Sequence, residues 1–152
     1  MTKGIKIVNN GVEIMQITRQ SEYAIRTMLE LARAPRGENI STRFISEKQD
    51  IPEDFLKKTL KLLVLAGLVN TQRGACGGIT LARDASEINL ADIIAAVEGN
   101  IALNVCLVPG YKCPNQPGCP VSRNLARAQQ AMLDELRKES LADMLADSRI
   151  SY

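Results

Sequence analysis

The chain contains neither histidine nor tryptophan among its 152 residues. Without histidine it has no imidazole base, no Ser-His-Asp triad and no histidine-ligated metal. The sequence also lacks the two common glycine-rich loops that bind nucleotide phosphates, G-x-x-x-x-G-K-S/T and G-x-G-x-x-G. The usual signatures of an enzyme are therefore missing, and we expect a protein that is not an enzyme.

Long apolar segments are also missing. No apolar run approaches the ~20 residues of a membrane span, and Met1 to Met15 lack the apolar stretch of a signal peptide. We expect no membrane partner and a cytoplasmic location, where thiols stay reduced. In that setting four cysteines suit metal binding or redox sensing better than disulfides.

The net charge is only +2, but it is distributed unevenly along the chain. Residues 15–83 carry 11 basic and 7 acidic side chains, whereas residues 84–152 carry 6 basic and 9 acidic ones. A basic first half followed by an acidic second half is compatible with a nucleic-acid-binding head joined to a different kind of tail.

Apolar periodicity and capping residues predict a mainly α fold with a small β-hairpin. The predicted helices cover about 19–33, 42–49, 53–66, 90–98, 121–138 and 141–146, and Thr18, Ser41, Asn89 and Ser140 serve as N-caps of four of them. Strands at 68–73 and 79–81 flank a glycine-rich tip. Phe44 is expected to point inward.

The stretch from Ile45 to Leu81 has the element order of a helix-turn-helix followed by a β-hairpin wing. A helix that projects from a tight turn fits the major groove of B-DNA, which is ~12 Å wide. Phe55 is assigned to the buried stripe of this helix and also counted among the DNA-contacting positions. The candidate DNA-binding residues are Thr42, Pro52, Asp54, Phe55, Lys57, Lys58, Lys61 and Arg73.

The charged side chains of this surface have specific chemical roles on DNA. Lysines meet phosphates, Glu53 or Asp54 accepts from a cytosine amino group, and Arg73 enters the minor groove beside the wing. The alternative is a packed protein-interaction module that does not touch DNA, since winged helices also serve that purpose.

Three cysteines follow one another at Cys106-x6-Cys113-x5-Cys119 in a segment rich in proline and glycine. Thiolates are soft ligands that suit iron–sulfur clusters and zinc. An open loop allows three sulfurs to converge. Structural zinc, a thiol redox sensor and inert thiols remain as alternatives.

Six short sequence segments in this order resemble the Rrf2 family of bacterial regulators, which includes IscR and NsrR. They are the segments at 18–24, 45–47, 65–69, 73–78, 88–93 and 96–99, and the similarity extends from Met15 to Ala146. The resemblance implies a dimeric winged-helix repressor or activator on a pseudo-palindromic promoter site. It places the helix-turn-helix from Thr42 to Leu65 and the dimer interface on the long C-terminal helix.

The resemblance also implies a role for the cysteines. Relatives with three cysteines in this place bind a two-iron or four-iron cluster there. Glu22 of the partner subunit is a candidate fourth ligand, because some relatives use an acidic side chain from the start of their first helix. Cys76 is a less suitable ligand, since a wing tip should lie beside DNA.

Together these arguments predict four segments. Residues 1–14 are a flexible N-terminal extension, in which Asn9, Asn10 and Gly11 interrupt any regular element and Met15 is the functional beginning. Residues 15–99 form the winged helix-turn-helix DNA-binding domain. Residues 100–120 form the cysteine-bearing cluster loop, and residues 121–152 form the dimerisation helix and C-terminal tail.

Overall fold

The computed structural model describes residues 7–9, 12–14, 17–74, 77–115 and 118–147. The described residues form the helices α1 (Arg19–Arg33), α2 (Thr42–Gln49), α3 (Glu53–Leu65), α4 (Leu90–Glu98), α5 (Pro120–Arg137) and α6 (Leu141–Ala146). They also form the strands β1 (Ile7–Asn9), β2 (Val12–Ile14), β3 (Val69–Gln72) and β4 (Gly78–Leu81). The predicted fold class, mainly α with a small antiparallel hairpin, is confirmed. No helix in these ranges is long and apolar enough to cross a membrane.

The predicted capping residues determine where four of the helices begin. The side chains of Thr18, Ser41, Asn89 and Ser140 each accept a hydrogen bond from a backbone N–H in the first turn that follows. These bonds satisfy amide groups that have no partner within the helix. α3 has no side-chain cap because the residue before it is Pro52.

The core lies between α1, α3 and α4. Its largest fully buried side chains include Met28 of α1, Leu56 and Leu63 of α3, and Ile93 of α4. α2 contributes Ile45, which is fully buried, whereas Phe44 is 46 % exposed. The expectation that Phe44 points inward is therefore wrong.

The wing is the antiparallel pair β3–β4, with Val69 opposite Leu81 and Gln72 opposite Gly78. A bridge to the loop before α2 anchors it: the N–H of Ile40 donates to the carbonyl of Ile79 at 3.0 Å, and the reverse bond is 2.8 Å. The wing is thus attached to the body of the domain by backbone hydrogen bonds as well as by the buried Ile79 side chain.

The two C-terminal helices behave differently. Leu141 of α6 is fully buried in the core cluster, and its N–H donates to the carbonyl of Ile88 at 2.8 Å. α6 therefore packs on the winged-helix domain of residues 15–99. We had expected residues 121–152 to form a segment distinct from that domain. α5 has no buried residue along its 18 positions and packs on α4 and on a 3-10 turn at Val105–Leu107.

Residues 1–14 were expected to lack regular structure, but β1 and β2 pair as a hairpin in which Asn9 lies opposite Val12. The expectation was based on Asn9, Asn10 and Gly11 as element breakers. Asn-Gly between two short β-prone segments is, however, also a sequence signal for a β-hairpin. Residues 1–6, 10, 11, 15 and 16, including the expected start at Met15, lie outside the described residues.

Candidate nucleic-acid interface and thiol loop

A tight, internally bonded turn joins α2 to α3. Asp50 ends α2 in the left-handed conformation, with φ of 50°. The Ser46 hydroxyl donates to the carbonyl of Ile51 at 2.6 Å, and the Ile51 N–H donates back to the Ser46 carbonyl at 3.0 Å. Ile51 itself is 2 % exposed. These contacts fix the direction in which α3 leaves the turn, and the two helices cover the span from Thr42 to Leu65 that the resemblance implied.

A buried carboxylate holds α2 against α1. Glu30 is 5 % exposed and accepts hydrogen bonds from Lys48 at 2.5 Å, Gln49 at 2.9 Å and Arg33 at 3.2 Å. Burial acts to raise the pKa of Glu30, but the bond and charge of Lys48, together with Gln49 and Arg33, outweigh it and lower that pKa. Glu30 is therefore ionised at neutral pH and stabilises the orientation of the helix pair.

α3 turns one polar face away from the core. The five predicted DNA contacts Pro52, Asp54, Lys57, Lys58 and Lys61 are all exposed on or before this helix. Lys57 is not free, because it pairs with Glu53 at 2.9 Å. That bond lowers the pKa of Glu53 and raises the pKa of Lys57. Lys58 and Lys61 form no ion pair within the described residues, so they are the lysines of this face available to an outside anion.

Two further predicted contacts differ from this group. Phe55 packs edge-on against Tyr23 of α1, with ring centroids 5.4 Å apart, and is 37 % exposed. The expectation that Phe55 lies in the buried stripe is therefore only partly right. Its contact with Tyr23 helps to join α1 to α3. Thr42 is half-buried at the first position of α2.

The sequence analysis missed one charged residue of this surface. Arg43 on α2 pairs with Glu47 at 2.8 Å and is 82 % exposed. Its charge also contributes to the lowered pKa of Glu53, after the larger effect of Lys57. The i, i+4 spacing of Arg43 and Glu47 was a visible signal of a helical ion pair, but their closeness to α3 depends on the turn.

Arg73 lies just beyond β3 and is exposed. It precedes Gly74, whose φ of 116° is a conformation that side chains rarely adopt. The chain can therefore turn sharply beside Arg73. Cys76, at the wing tip, lies outside the described residues.

The three predicted thiols lie in one loop but in different local settings. Cys106 is within the 3-10 turn, Cys113 is in irregular chain, and Cys119 immediately precedes α5. All three are free and half-exposed. Their donor chemistry suits soft metals and iron–sulfur clusters. However, no group of three or more Cys, Asp or Glu side chains within the described ranges is arranged to hold a metal.

Glu22, the candidate fourth ligand, lies in the first turn of α1 and its side chain is 44 % exposed. It pairs with Arg26 at 3.5 Å. Its carboxylate is thus directed along its own helix in the single chain. The sequence analysis did not foresee this competing partner.

The loop is connected to the helix that follows it. The Gln129 amide oxygen of α5 accepts a hydrogen bond from the N–H of Leu103 at 2.9 Å. Cys119 stands directly before Pro120, the first residue of α5. The loop is therefore attached to α5 at the beginning and near the middle of this helix.

Comparisons with known proteins agree with this architecture. Residues 17–147 match the model of the Rrf2 family, described as an iron-dependent transcriptional regulator. The chain is 35 % identical over 133 residues to protein aau3 of Rhizobium meliloti (strain 1021), covering 86 % of this chain and 85 % of that protein.

Two solved regulators have similar structures. CymR (YrzC), the global cysteine regulator of B. subtilis, is 29 % identical with a TM-score of 0.69, covering 86 % of this chain and 96 % of that one. T. potens IscR is 26 % identical with a TM-score of 0.69, covering 90 % and 93 %. The family match spans most of the described residues, and members of this family are regulators and not enzymes. The chain therefore belongs to the Rrf2 family of winged helix-turn-helix transcription regulators.

Proposed function

We propose that this regulator acts in the cytoplasm as a homodimer on a pseudo-palindromic promoter site, and that its cysteine loop senses redox, nitric oxide or iron–sulfur status. The observation that carries the DNA part is the exposed face of α3, where Lys58 and Lys61 form no ion pair within the described chain. Arg73 extends the basic surface to the adjacent wing.

The contacts on DNA follow from the position of each group. α3 enters the major groove with its N-terminal turn, where Asp54, 96 % exposed, accepts from a cytosine amino group. Lys58 and Lys61 bind phosphates, and Arg73 enters the minor groove. Lys57 is released from Glu53 only if DNA offers it a better partner, because the pair already satisfies it.

Two substitutions of opposite sign test this arrangement. Lys58→Ala should weaken binding to promoter DNA and lower the slope of log K against log salt by about 1. Glu53→Gln should strengthen binding, because it removes a negative charge from the DNA side and frees Lys57. Gel-shift titrations over a salt series measure both.

Lys112→Ala is the matched control, since Lys112 is an exposed lysine in the cysteine loop. It should leave the salt slope unchanged. If Lys58→Ala behaves like Lys112→Ala, the DNA face is not on α3. If the wild-type protein binds no DNA carrying its own upstream region at low salt, it is a protein-interaction module instead.

For the sensor we propose that Cys106, Cys113 and Cys119 ligate an iron–sulfur cluster of two-iron or four-iron type. Three half-exposed thiols in one loop support this assignment, because soft thiolates are the ligands such clusters take. The ligands are not assembled in the described chain, so the loop has to rearrange to hold a cluster. Glu22 of the partner subunit is the proposed fourth ligand.

Anaerobic purification provides the test of the cluster. The wild-type protein should contain iron and acid-labile sulfide, and serine substitution of Cys106, Cys113 or Cys119 should remove both. Ser86→Ala is a control away from the loop and should retain them. A colourless wild-type protein without sulfide would reject the cluster.

A second candidate is a zinc-bound or thiol-switched regulator without a cluster. Its thiol-switched form is favoured by the observation that the three free thiols are not gathered into a metal-binding group within the described ranges, which counts against bound zinc as well as against the cluster. Zinc analysis and mass spectrometry of oxidised protein distinguish these states from each other.

A further inference from the structure

An open groove separates α3 from the wing. It has a volume of about 810 Å³, within the usual range of ligand pockets. The C-terminal half of α3 forms one wall, and the end of β3 with the start of β4 forms the other. The groove opens on the side of the molecule that carries the proposed DNA contacts.

Four apolar side chains line this groove: Leu60, Val64, Leu65 and Ile79. Leu60 and Ile79 are 6 % and 2 % exposed and lie at its base. Val64 is 37 % exposed and Leu65 is 83 % exposed along its edge. Nothing within the described residues covers Leu65, so the groove presents an apolar surface that an outside partner can bury.

Cationic and polar groups surround the apolar lining. Lys61 lines the groove and forms no ion pair within the described part of the chain, whereas Lys57 is held by Glu53. Thr42 and Gln72 add a hydroxyl and an amide. A phosphate backbone satisfies Lys61 but gains nothing from Leu60, Val64 and Leu65. The complementary ligand has an apolar body and one negative charge.

We propose that this groove binds an amphipathic organic anion, with its hydrocarbon or aromatic body against Leu60, Val64 and Leu65 and its carboxylate on Lys61. Bound there, the anion occupies Lys61 and the space between α3 and the wing. DNA and the anion then exclude each other. This regulatory consequence rests on the proposed DNA binding, whereas the binding site itself does not.

Decanoate is a suitable probe for the full-length protein, with calorimetric titration as the measurement. Leu65→Ser should weaken decanoate binding at least 10-fold, and Val64→Ser should weaken it as well. Ile17→Ser is the matched control, because Ile17 is an apolar residue 51 % exposed outside the groove. Circular dichroism checks that each variant is folded.

Decanol, which has the same body without the charge, should bind more weakly than decanoate to wild type, and the difference should vanish in Lys61→Ala. The site is overturned if wild type does not bind decanoate, if Leu65→Ser binds it as wild type does, or if Ile17→Ser weakens it equally.

Competition with promoter DNA separates this inference from the proposed function. Decanoate should lower the DNA affinity of wild type and leave that of Leu65→Ser unchanged. Decanoate binding in a protein that never binds DNA would reject the proposed function and retain the site. Normal DNA binding without any decanoate binding would reject the site alone.

Discussion

At the scale of single residues, Glu30 combines burial with a full charge. Its carboxylate is 5 % exposed and accepts hydrogen bonds from Lys48 and Gln49 of α2 and from Arg33 of its own helix. Removing the charge of a buried, hydrogen-bonded group leaves its partners unsatisfied. This side chain therefore contributes to holding α2 in its orientation on α1.

Glu30→Gln should lower the free energy of unfolding by about 1–3 kcal/mol at pH 7. The lowered pKa means that the folded state favours the ionised form. This contribution is present above the unfolded pKa of about 4.5 and is lost as the pH falls through the lower folded value. The difference in unfolding free energy between wild type and Glu30→Gln should thus become smaller below about pH 4.5.

Urea unfolding at pH 7 and at about pH 3.5, about one unit below the unfolded pKa of 4.5, measures both effects. Glu47→Gln is the control, because Glu47 is 66 % exposed and its pair with Arg43 is worth less than about 1 kcal/mol. A constant gap between wild type and Glu30→Gln across this pH range would contradict the assignment.

The exposure of individual side chains could be predicted from the sequence only in part. The helical period identified the buried face of α3, and Leu56, Leu60 and Leu63 are indeed buried. The period did not predict how exposed the residues at the edge of a buried helix face are, because their exposure depends on the neighbouring elements. Phe44 on α2 is 46 % exposed, and Phe55 is 37 % exposed although its ring packs against Tyr23.

At the scale of elements, a close backbone contact between β4 and the loop before α2 supports the wing. A Cβ on Gly78 would lie 2.8 Å from the carbonyl oxygen of Ile40, which belongs to the backbone and cannot turn away. Gly78→Ala should push β4 from the loop before α2 and weaken the Ile40–Ile79 bridge. We expect a loss of about 1–3 kcal/mol in unfolding free energy.

DNA binding should weaken in the same variant, since the wing would no longer be held beside α3. Thr80→Ala on the same strand is the control, because it removes atoms and adds none. Thermal unfolding and gel shifts provide the two readouts. Equal behaviour of Gly78→Ala and Thr80→Ala would show that the wing tolerates the displacement.

The elements themselves were largely predictable because their signals are local. The caps at Thr18, Ser41, Asn89 and Ser140 gave the helix starts to within a residue. The packing of α6 on the head was not predictable, since it depends on a contact between Leu141 and Ile88 far apart in sequence. The spatial relation of the three thiols was likewise open, because periodicity does not fix the path of an irregular loop.

At the scale of the whole molecule, α5 is the element that the single chain leaves incomplete. Gln129 and Leu133 face the cavity beside α4, yet none of its residues is buried. A second stripe of Val121, Leu125, Ala128 and Met132 repeats at intervals of four, three and four residues. This is the spacing of a coiled-coil seam, and a second copy of the helix is its natural partner.

Ala128→Glu should therefore convert the protein to a folded monomer, because it places a charge within this stripe. Ala126→Glu is the matched control: both alanines are exposed, and the two positions lie roughly 160° apart around the helix. Size-exclusion chromatography with light scattering gives the mass, and circular dichroism checks the fold. A dimeric Ala128→Glu variant would place the interface elsewhere.

The consequence for DNA follows from geometry. A dimer contacts two half-sites about one helical turn apart, and the second contact is effectively intramolecular. Ala128→Glu should thus lose about 100-fold or more in affinity for a full palindromic site, while its affinity for a single half-site stays that of wild type.

The thiol loop joins α5 at Cys119 and Pro120, so a change in the loop that tilts α5 should reproduce this pattern without any substitution. Equal losses on full and half-sites would instead mean that α5 supports the head directly, and that the loop acts on α3 within one subunit.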